Sequence, residues 1–458
     1  MSGSFDDIDV PPTLVSFAIS TADTDNIISP EFKQAGSRVV LVQTAMNEDG
    51  LFDEQDLLHT LDTVEKLIAG KKVRSAYVPA AGGVGAAIAK MCFGNGIGFA
   101  YEPGTTGLFD DVRGAFLLEL AEDAPLCGKL MGRTTEEAAI ALNGESACLC
   151  DLLKAYEATL EPIFPVKTAS CGDVPTFSYK AEKRAAPAVK AAKPRVLIPV
   201  FPGTNCEFDT ARAFQKAGAE PEILVLKNLT PAQLTQSLEE MERAIGASQI
   251  IALPGGFSGG DEPDGSAKFI TAFFRNPRIR DAVHGLLNQR DGLMIGICNG
   301  FQALIKLGLV PYGEIRATTA EDATLTYNVV GRHQSGLVHT RVCSNKSPWL
   351  MYSDVGDVHT IAISHGEGRF VAPGSLIAKL ADNGQIATQY VDLSGKPTMD
   401  IAYNPNGSAC AIEAITSPDG RILGKMGHSE RYGDNLYKNV PGDKDQKLFA
   451  GAVGYYAL

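Results

Sequence analysis

Four short apolar runs, each followed by a helical pattern, constrain the fold of residues 195–308 more than any other feature of this chain. They are "RVLIPV" (195–200), "EILVLK" (222–227), "QIIALPGG" (249–256) and "LMIGIC" (293–298). Each is too short for a helix and lacks polar alternation, the pattern of a strand buried on both faces. Helical patterns intervene at 211–216, which stops at Gly218, at 229–246 with Thr230 or Pro231 at its start, and near 267–275; a fourth follows Cys298 at once. This alternation predicts an α/β domain with a parallel sheet and helices on both faces. In such sheets the functional loops lie at the carboxyl ends of the strands. "FPGTNC" (201–206), Gly255-Gly256 and Cys298 all fall there.

The first part of the chain reads differently. "TLVSFAIS" (13–20), "SRVVLVQ" (37–43) and "RGAFLLELA" (113–121) have strand character, whereas 54–70 and 86–92 have helical character. An α+β domain over 1–165 is expected. "YKAEKRAAPAVKAAKPR" (179–195) carries six basic side chains against one acid and almost no large apolar residue. It implies a solvated linker, placed at 166–193, before a second domain at 194–458. The glycine-rich 82–98 reads as a tight structural turn in preference to a phosphate site.

Composition excludes several functions. With 45% hydrophobic and 21% charged residues the chain is an ordinary globular protein. A net charge of -13 without a long basic tract argues against a nucleic-acid partner. The nine cysteines show no paired CxxC spacing for zinc, and read as reduced thiols of a cytoplasmic protein. No apolar stretch approaches the roughly 20 residues of a membrane span, and "MSGSFDDIDVPP" has no signal core.

Chemistry is sought first at "GICNG" (296–300). A cysteine on a strand-to-helix turn, flanked by glycines, is open to a substrate, and the helix N-terminus beyond it favours a thiolate. The same residues also suit a small packed thiol beside a tight turn. A nucleophile needs a base, and of seven histidines His428 stands out in "LGKMGHSERYGD" (423–434). In an extended segment Glu430 would share its side and orient the ring; an incidental surface pair is the alternative. Consecutive glycines in "LPGGFSGGD" (253–261) expose backbone N–H groups that suit an oxyanion site, a flexible loop or a phosphate cradle.

Together these segments resemble the class I, or triad, glutamine amidotransferases. The similarity is greatest to the glutaminase domain of the phosphoribosylformylglycinamidine synthase family. It is carried by "FPGTNCEFDTARAF" (201–214), "PGGFSGGD" (254–261), "GICNGFQ" (296–302), "SHGEGRF" (364–370), "NPNGS" (404–408) and "SPDGRILGKMGHSER" (417–431). The resemblance implies a flavodoxin-like fold, with Cys298 attacking the glutamine amide, His428 moving the proton and Glu430 orienting His428. It further implies oxyanion donors at Gly256 and Asn299, and a glutamine pocket at Phe257, Gln302, His365 and Gly366, with no metal and no cofactor for this step. Residues 13–33 and 80–99 are similar to the carboxy-terminal aminoimidazole-ribonucleotide-synthetase-like domain of the single-chain members. On that resemblance the chain is the carboxy-terminal part of a larger enzyme. ATP and Mg2+ would serve its absent ATP-binding synthetase domains, which convert formylglycinamide ribonucleotide to the amidine with the released ammonia.

One departure is visible: many relatives place prolines beside the histidine, where this chain has Gly427 and Ser429. A loosened loop is therefore expected. A papain-like protease is excluded by the absence of its cysteine context. A stand-alone γ-glutamyl hydrolase leaves the first domain unexplained, and a non-catalytic scaffold would call for an altered triad.

Overall fold

A computed structural model describes residues 3–5, 8–10, 14, 16–159, 161, 173–258 and 267–457. The chain divides into two units, Met1–Pro162 and Ile163–Leu458.

The first unit opens with a hairpin of β1 (Gly3–Phe5) and β2 (Ile8–Val10). Its main elements are β3 (Arg38–Val42), α1 (Glu54–Ala69), β4 (Val73–Tyr77), α2 (Gly83–Phe93), β5 (Gly98–Tyr101), β6 (Phe116–Leu120), β7 (Lys129–Thr135), β8 (Ala139–Leu142), β9 (Glu145–Cys148) and α3 (Leu149–Ala158). Seven strands form one sheet in the order β4-β6-β3-β7-β5-β8-β9, mostly antiparallel. Alternate residues of β3 serve two cores: Val39 and Leu41 join Val84, Ile88 and Met91 of α2, while Val40 and Val42 join Val64 of α1. The acid inside the apolar run of β6, Glu119, is fully buried and accepts from Lys33 N (2.8 Å), Gln34 N (3.1 Å) and Ser75 Oγ (2.7 Å), so its burial is compensated.

Two expectations change here, and the tight turn expected within 82–98 is found. The strand expected at 13–20 is irregular at Leu14 and at 16–20, with Leu14, Phe17 and Ile19 exposed; Thr13 and Val15 lie outside the described residues. Apolar patterning alone does not make a strand when no neighbouring strand takes up its backbone groups. Cys148 and Cys150 are bonded, not free, because the step from β9 into α3 brings their Cα atoms to 5.3 Å. At 82–83 the chain makes a left-handed turn into α2, and a β-carbon on Gly83 would stand 2.7 Å from the carbonyl oxygens of Leu108 and Asp110.

The second unit contains β10 (Arg195–Val200), α4 (Glu207–Lys216), β11 (Glu220–Val225), α5 (Pro231–Ala247), β12 (Ile250–Leu253), α6 (Lys268–Phe274), α7 (Pro277–Gln289), β13 (Leu293–Ile297), α8 (Asn299–Leu307) and the short α9 (Leu309–Tyr312). It continues with β14 (Thr324–Thr326), β15 (Gln334–Val342), β16 (Val358–His365), β17 (Arg369–Val371), α10 (Gly374–Asp382), β18 (Ile386–Val391), β19 (Ile412–Thr416), β20 (Ile422–Lys425) and α11 (Leu448–Ala457). Nine strands form one sheet, β11-β10-β12-β13-β20-β19-β18-β15-β16. The five from β11 to β20 are parallel, and the four beyond β20 are antiparallel. The α/β fold is therefore a mixed sheet whose antiparallel wing the opening strand rhythm does not contain. At α5, Thr230 caps the helix by accepting from Gln233 N (3.2 Å), with Pro231 at the first helical position.

The linker expected at 166–193 is largely exposed where it is described, but it is not free. From 173 onward its backbone is bonded to the second unit: Phe177 N to Gln389 Oε1 (3.0 Å), Tyr179 N to Cys343 O (2.8 Å), Ala181 N to Asn345 Oδ1 (2.9 Å) and Ala191 N to Tyr456 O (3.2 Å). Among the described residues no helix is long and apolar enough to cross a membrane.

Candidate active site

Strands β12, β13 and β20 are consecutive neighbours in the sheet and run parallel. Their carboxyl ends therefore deliver Gly255-Gly256, Cys298 and His428 to one place. Cys298 N donates to Lys425 O (2.8 Å), and His428 N donates to Ala362 O of β16 (2.8 Å), which sets the height of both turns.

The cysteine turn is strained. Cys298 has φ 53° and ψ -107°, a backbone state that costs a non-glycine residue of order 1–3 kcal/mol. The flanking glycines are required by packing. A β-carbon on Gly296 would stand 2.5 Å from Gly300 O, and one on Gly300 would stand 2.1 Å from Leu253 O. They let α8 fold back tightly over β12 and β13. The first helical hydrogen bond is Gln302 N to Cys298 O (3.0 Å), so the N–H groups of Asn299, Gly300 and Phe301 precede the ladder and point toward the cysteine end.

His428 and Glu430 are joined by a 2.6 Å bond between Nδ1 and Oε1, and both side chains are buried. Extended alternation does not produce this pair; residues Ser429–Arg431 form a 3-10 turn that folds the carboxylate back onto the ring. Burial pushes His428 down, but the Glu430 carboxylate and the thiols of Cys206 and Cys298 hold it well above its ordinary value. Burial likewise pushes Glu430 up, and His428 overrides this to hold it below the usual carboxylate range. Nε2 of His428 is buried without a hydrogen-bond partner, the state of a nitrogen free to exchange a proton. Gly255 is the floor between the two arms. Its absent β-carbon would stand 2.6 Å from His428 Cε1 and 3.4 Å from Cys298 Cβ.

The remaining expected residues are distributed around this centre. At Gly256 φ is 154°, and a β-carbon there would meet Gly203 O at 2.5 Å. The next N–H, that of Phe257, donates to Gly203 O (2.7 Å), while the Phe257 ring is partly exposed beside His333. Gly259, Gly260 and Asp261 lie outside the described residues. Asn299 accepts from Ser258 N (3.1 Å) and donates to Gln302 Oε1 (2.8 Å); Gln302 then donates to Glu367 O (2.7 Å). The Gln302 amide thus ties the α8 turn to the 364–368 loop. His365 is buried, with Nδ1 3.1 Å from Asn328 Oδ1 and Nε2 unpartnered. Burial, with His428 and His333 nearby, pushes it down to about 3, so it is neutral. Gly366 has open space where a β-carbon would be.

One residue of the site was not singled out from the sequence. Cys206, buried at the start of α4, lies 3.9 Å from His428 Nδ1 and accepts from Arg431 Nη2 (3.2 Å). Its position after a strand end within "FPGTNC" was the available signal. Cys206, His428 and Glu430 offer donor atoms within 4.8 Å of one another, a set of types that zinc accepts; the short Nδ1–Oε1 bond already engages two of them.

Residues 193–456 match the CobB/CobQ-like glutamine amidotransferase domain. The chain is 33% identical over 244 residues to phosphoribosylformylglycinamidine synthase subunit PurQ of Methanococcus maripaludis, across 52% of this chain and 82% of that protein. It is 34% identical over 247 residues to the PurQ subunit of Synechocystis, across 54% and 95% respectively. Among solved structures, PurLQS from Thermotoga maritima is similar at 25% identity and a TM-score of 0.42, covering 57% of this chain and 99% of that chain.

Proposed function

The chain belongs to the CobB/CobQ-like glutamine amidotransferase family, and from that premise we propose that Ile163–Leu458 hydrolyses glutamine to supply ammonia for phosphoribosylformylglycinamidine synthesis, a step of purine biosynthesis. The observation that carries this reading is the gathering of a strained Cys298 and a buried His428–Glu430 pair at the ends of adjacent parallel strands.

The chemistry follows from those positions. Cys298 gives its proton to His428 Nε2, and its sulfur bonds to the carboxamide carbon of glutamine. Negative charge on the carbonyl oxygen is met by the N–H groups of Gly256 and of Asn299 at the start of α8. His428 returns the proton to the amide nitrogen, the C–N bond breaks and ammonia leaves. Water, deprotonated by His428, then cleaves the thioester to glutamate. Glu430 holds the ring and balances the imidazolium charge formed twice in the cycle. In this reading Gln302 and Asn299 shape the glutamine pocket by tying its walls together, and neutral His365, Gly366 and Phe257 border it.

The relatives named as synthase subunits support a synthetase component as the partner that receives the ammonia. ATP, Mg2+ and formylglycinamide ribonucleotide belong to that partner in this reading, and Met1–Pro162 is a synthetase-type domain of the same assembly, in the cytoplasm. A glutamine-analogue diazo-ketone is expected to modify Cys298 alone, with glutamine protecting it. Undiminished hydrolysis by Cys298→Ala would sink the mechanism.

A further inference from the structure

Beneath His428 lies a charged pair that the mechanism above does not use. Lys425 and Glu413 are almost completely buried, with Nζ and Oε1 3.6 Å apart. Lys425 Nζ donates to Gly427 O (2.9 Å) and to Ser429 Oγ (2.8 Å), the residues on either side of His428. Glu413 Oε1 accepts from Gly427 N (2.7 Å), and its other oxygen accepts from Thr388 Oγ1. Ser429 Oγ donates to Gln446 Oε1 (2.6 Å), and Gln446 Nε2 donates to Thr340 Oγ1 (3.2 Å). Strands β15, β18, β19 and β20 and the chain before α11 thus converge on three consecutive residues.

The expected looseness of this loop is therefore not found. The amide hydrogen that a proline would lack at 427 is used by Glu413. A side chain at that position would also stand 2.7 Å from Ile361 Cγ2. A buried ion pair is a poor way to add stability, since desolvation cancels most of its attraction and apolar replacements of similar volume are often neutral or better. Its hydrogen bonds do something an apolar pair could not: they fix the peptide groups of Gly427 before the histidine and hold the Ser429 side chain after it.

We propose that Lys425 and Glu413 are positioning residues for His428, holding its ring in line with Cys298 where glycine and serine leave the backbone unconstrained. This rests on the reading of His428 as the proton carrier. Ser429 is the third member of the device, because its hydroxyl relays the Lys425 ammonium to Gln446.

The test compares the full chain with a Lys425→Met/Glu413→Gln double variant, which removes both charges without stranding either. Melting temperature, kcat and KM for glutamine, and the pH dependence of Cys298 alkylation by iodoacetamide are measured. Expected are a melting temperature within a few degrees of wild type, an unchanged KM, and a fall in kcat of about tenfold to a hundredfold, as misplacement of a catalytic group produces. The alkylation profile should shift as well, which a merely structural pair would not cause. Wild-type kcat and alkylation profile in the double variant overturn the proposal. Should that variant not fold, Ser429→Ala decides: a several-fold fall in kcat at constant KM supports it, and unchanged kinetics overturn it. Cys298→Ala is the control, since hydrolysis surviving there defeats the nucleophile assignment itself, whereas a dead control beside wild-type-like double and Ser429 variants defeats only the positioning role.

Discussion

Cys298 and His428 stand at the ends of neighbouring strands, yet the turns that carry them are held in opposite ways. The cysteine turn is built from within: Gly296, Gly300 and the start of α8 make it, and its strain is local to φ 53° at one residue. The histidine turn is built largely from outside, by Glu413, Gln446 and Ala362 from other parts of the chain, together with Lys425 at the end of β20. The difference suits the roles proposed for them: a nucleophile must project sharply and needs a stiff corner, whereas a proton carrier must be aimed, and aiming takes supports from several directions.

The comparison predicts different responses to substitution. The largest effect belongs to the sulfur: Cys298→Ala should lower hydrolysis by roughly 10⁴-fold or more. Cys298→Gly should be equally inactive yet about 1 kcal/mol more stable than the alanine variant in urea unfolding, because glycine accepts the positive φ. Equal stabilities would mean that the elbow stores no strain.

Next comes Glu430→Gln, which keeps the shape but not the charge; kcat should fall by about 10²- to 10⁴-fold. Because Glu430 is what holds His428 above its ordinary value against burial, its removal should move the alkaline limb of the alkylation profile to lower pH. An unmoved limb would transfer that role to Cys206 and its neighbours.

Smaller effects separate the two turns in stability. Gly300→Ala places a β-carbon against the Leu253 carbonyl and should cost roughly 2–4 kcal/mol, with the overpacking felt throughout the α8 contact. Gly427→Pro should cost about 2–3 kcal/mol by removing the donor to the buried Glu413 carboxylate. A proline tolerated at 427 would show that the outside supports are dispensable.

The smallest effect is a pH slope. His365 is neutral in the fold, depressed to about 3, and takes up a proton near its ordinary value once unfolded. Its contribution is present above about pH 6.5 and is lost as pH falls toward the folded value, amounting to about 2 kcal/mol by pH 5. A His365→Asn variant should show a shallower loss of stability between pH 7 and pH 5 in chemical denaturation.

Much of this arrangement is legible along the chain where the determinants are close together. The runs that became β10, β12 and β13, the cap at Thr230 and the corner at Cys298 all depend on residues within a few positions of one another. The antiparallel wing is not legible in the same way. Strands β15 and β16 mix polar and apolar side chains, and Thr340, Thr360 and Gln389 are buried because partners elsewhere satisfy them. The docking of the exposed segment at 173–193 is illegible for a related reason, since its hydrogen bonds go to residues more than a hundred positions away.

By itself the sequence determined a parallel α/β core, a cysteine at a strand-to-helix corner, and a histidine with a carboxylate two residues on. Those are matters of periodicity, of glycine at fixed offsets and of local spacing. Only the tertiary structure decided that β13 and β20 are neighbours, which is what brings Cys298 to His428. It also decided that a 3-10 turn rather than an extended segment joins His428 to Glu430, and that the Gly427 amide is taken up by the buried Glu413 carboxylate. Strand order and the satisfaction of buried charges depend on contacts between distant segments, and these have no local signature in the chain.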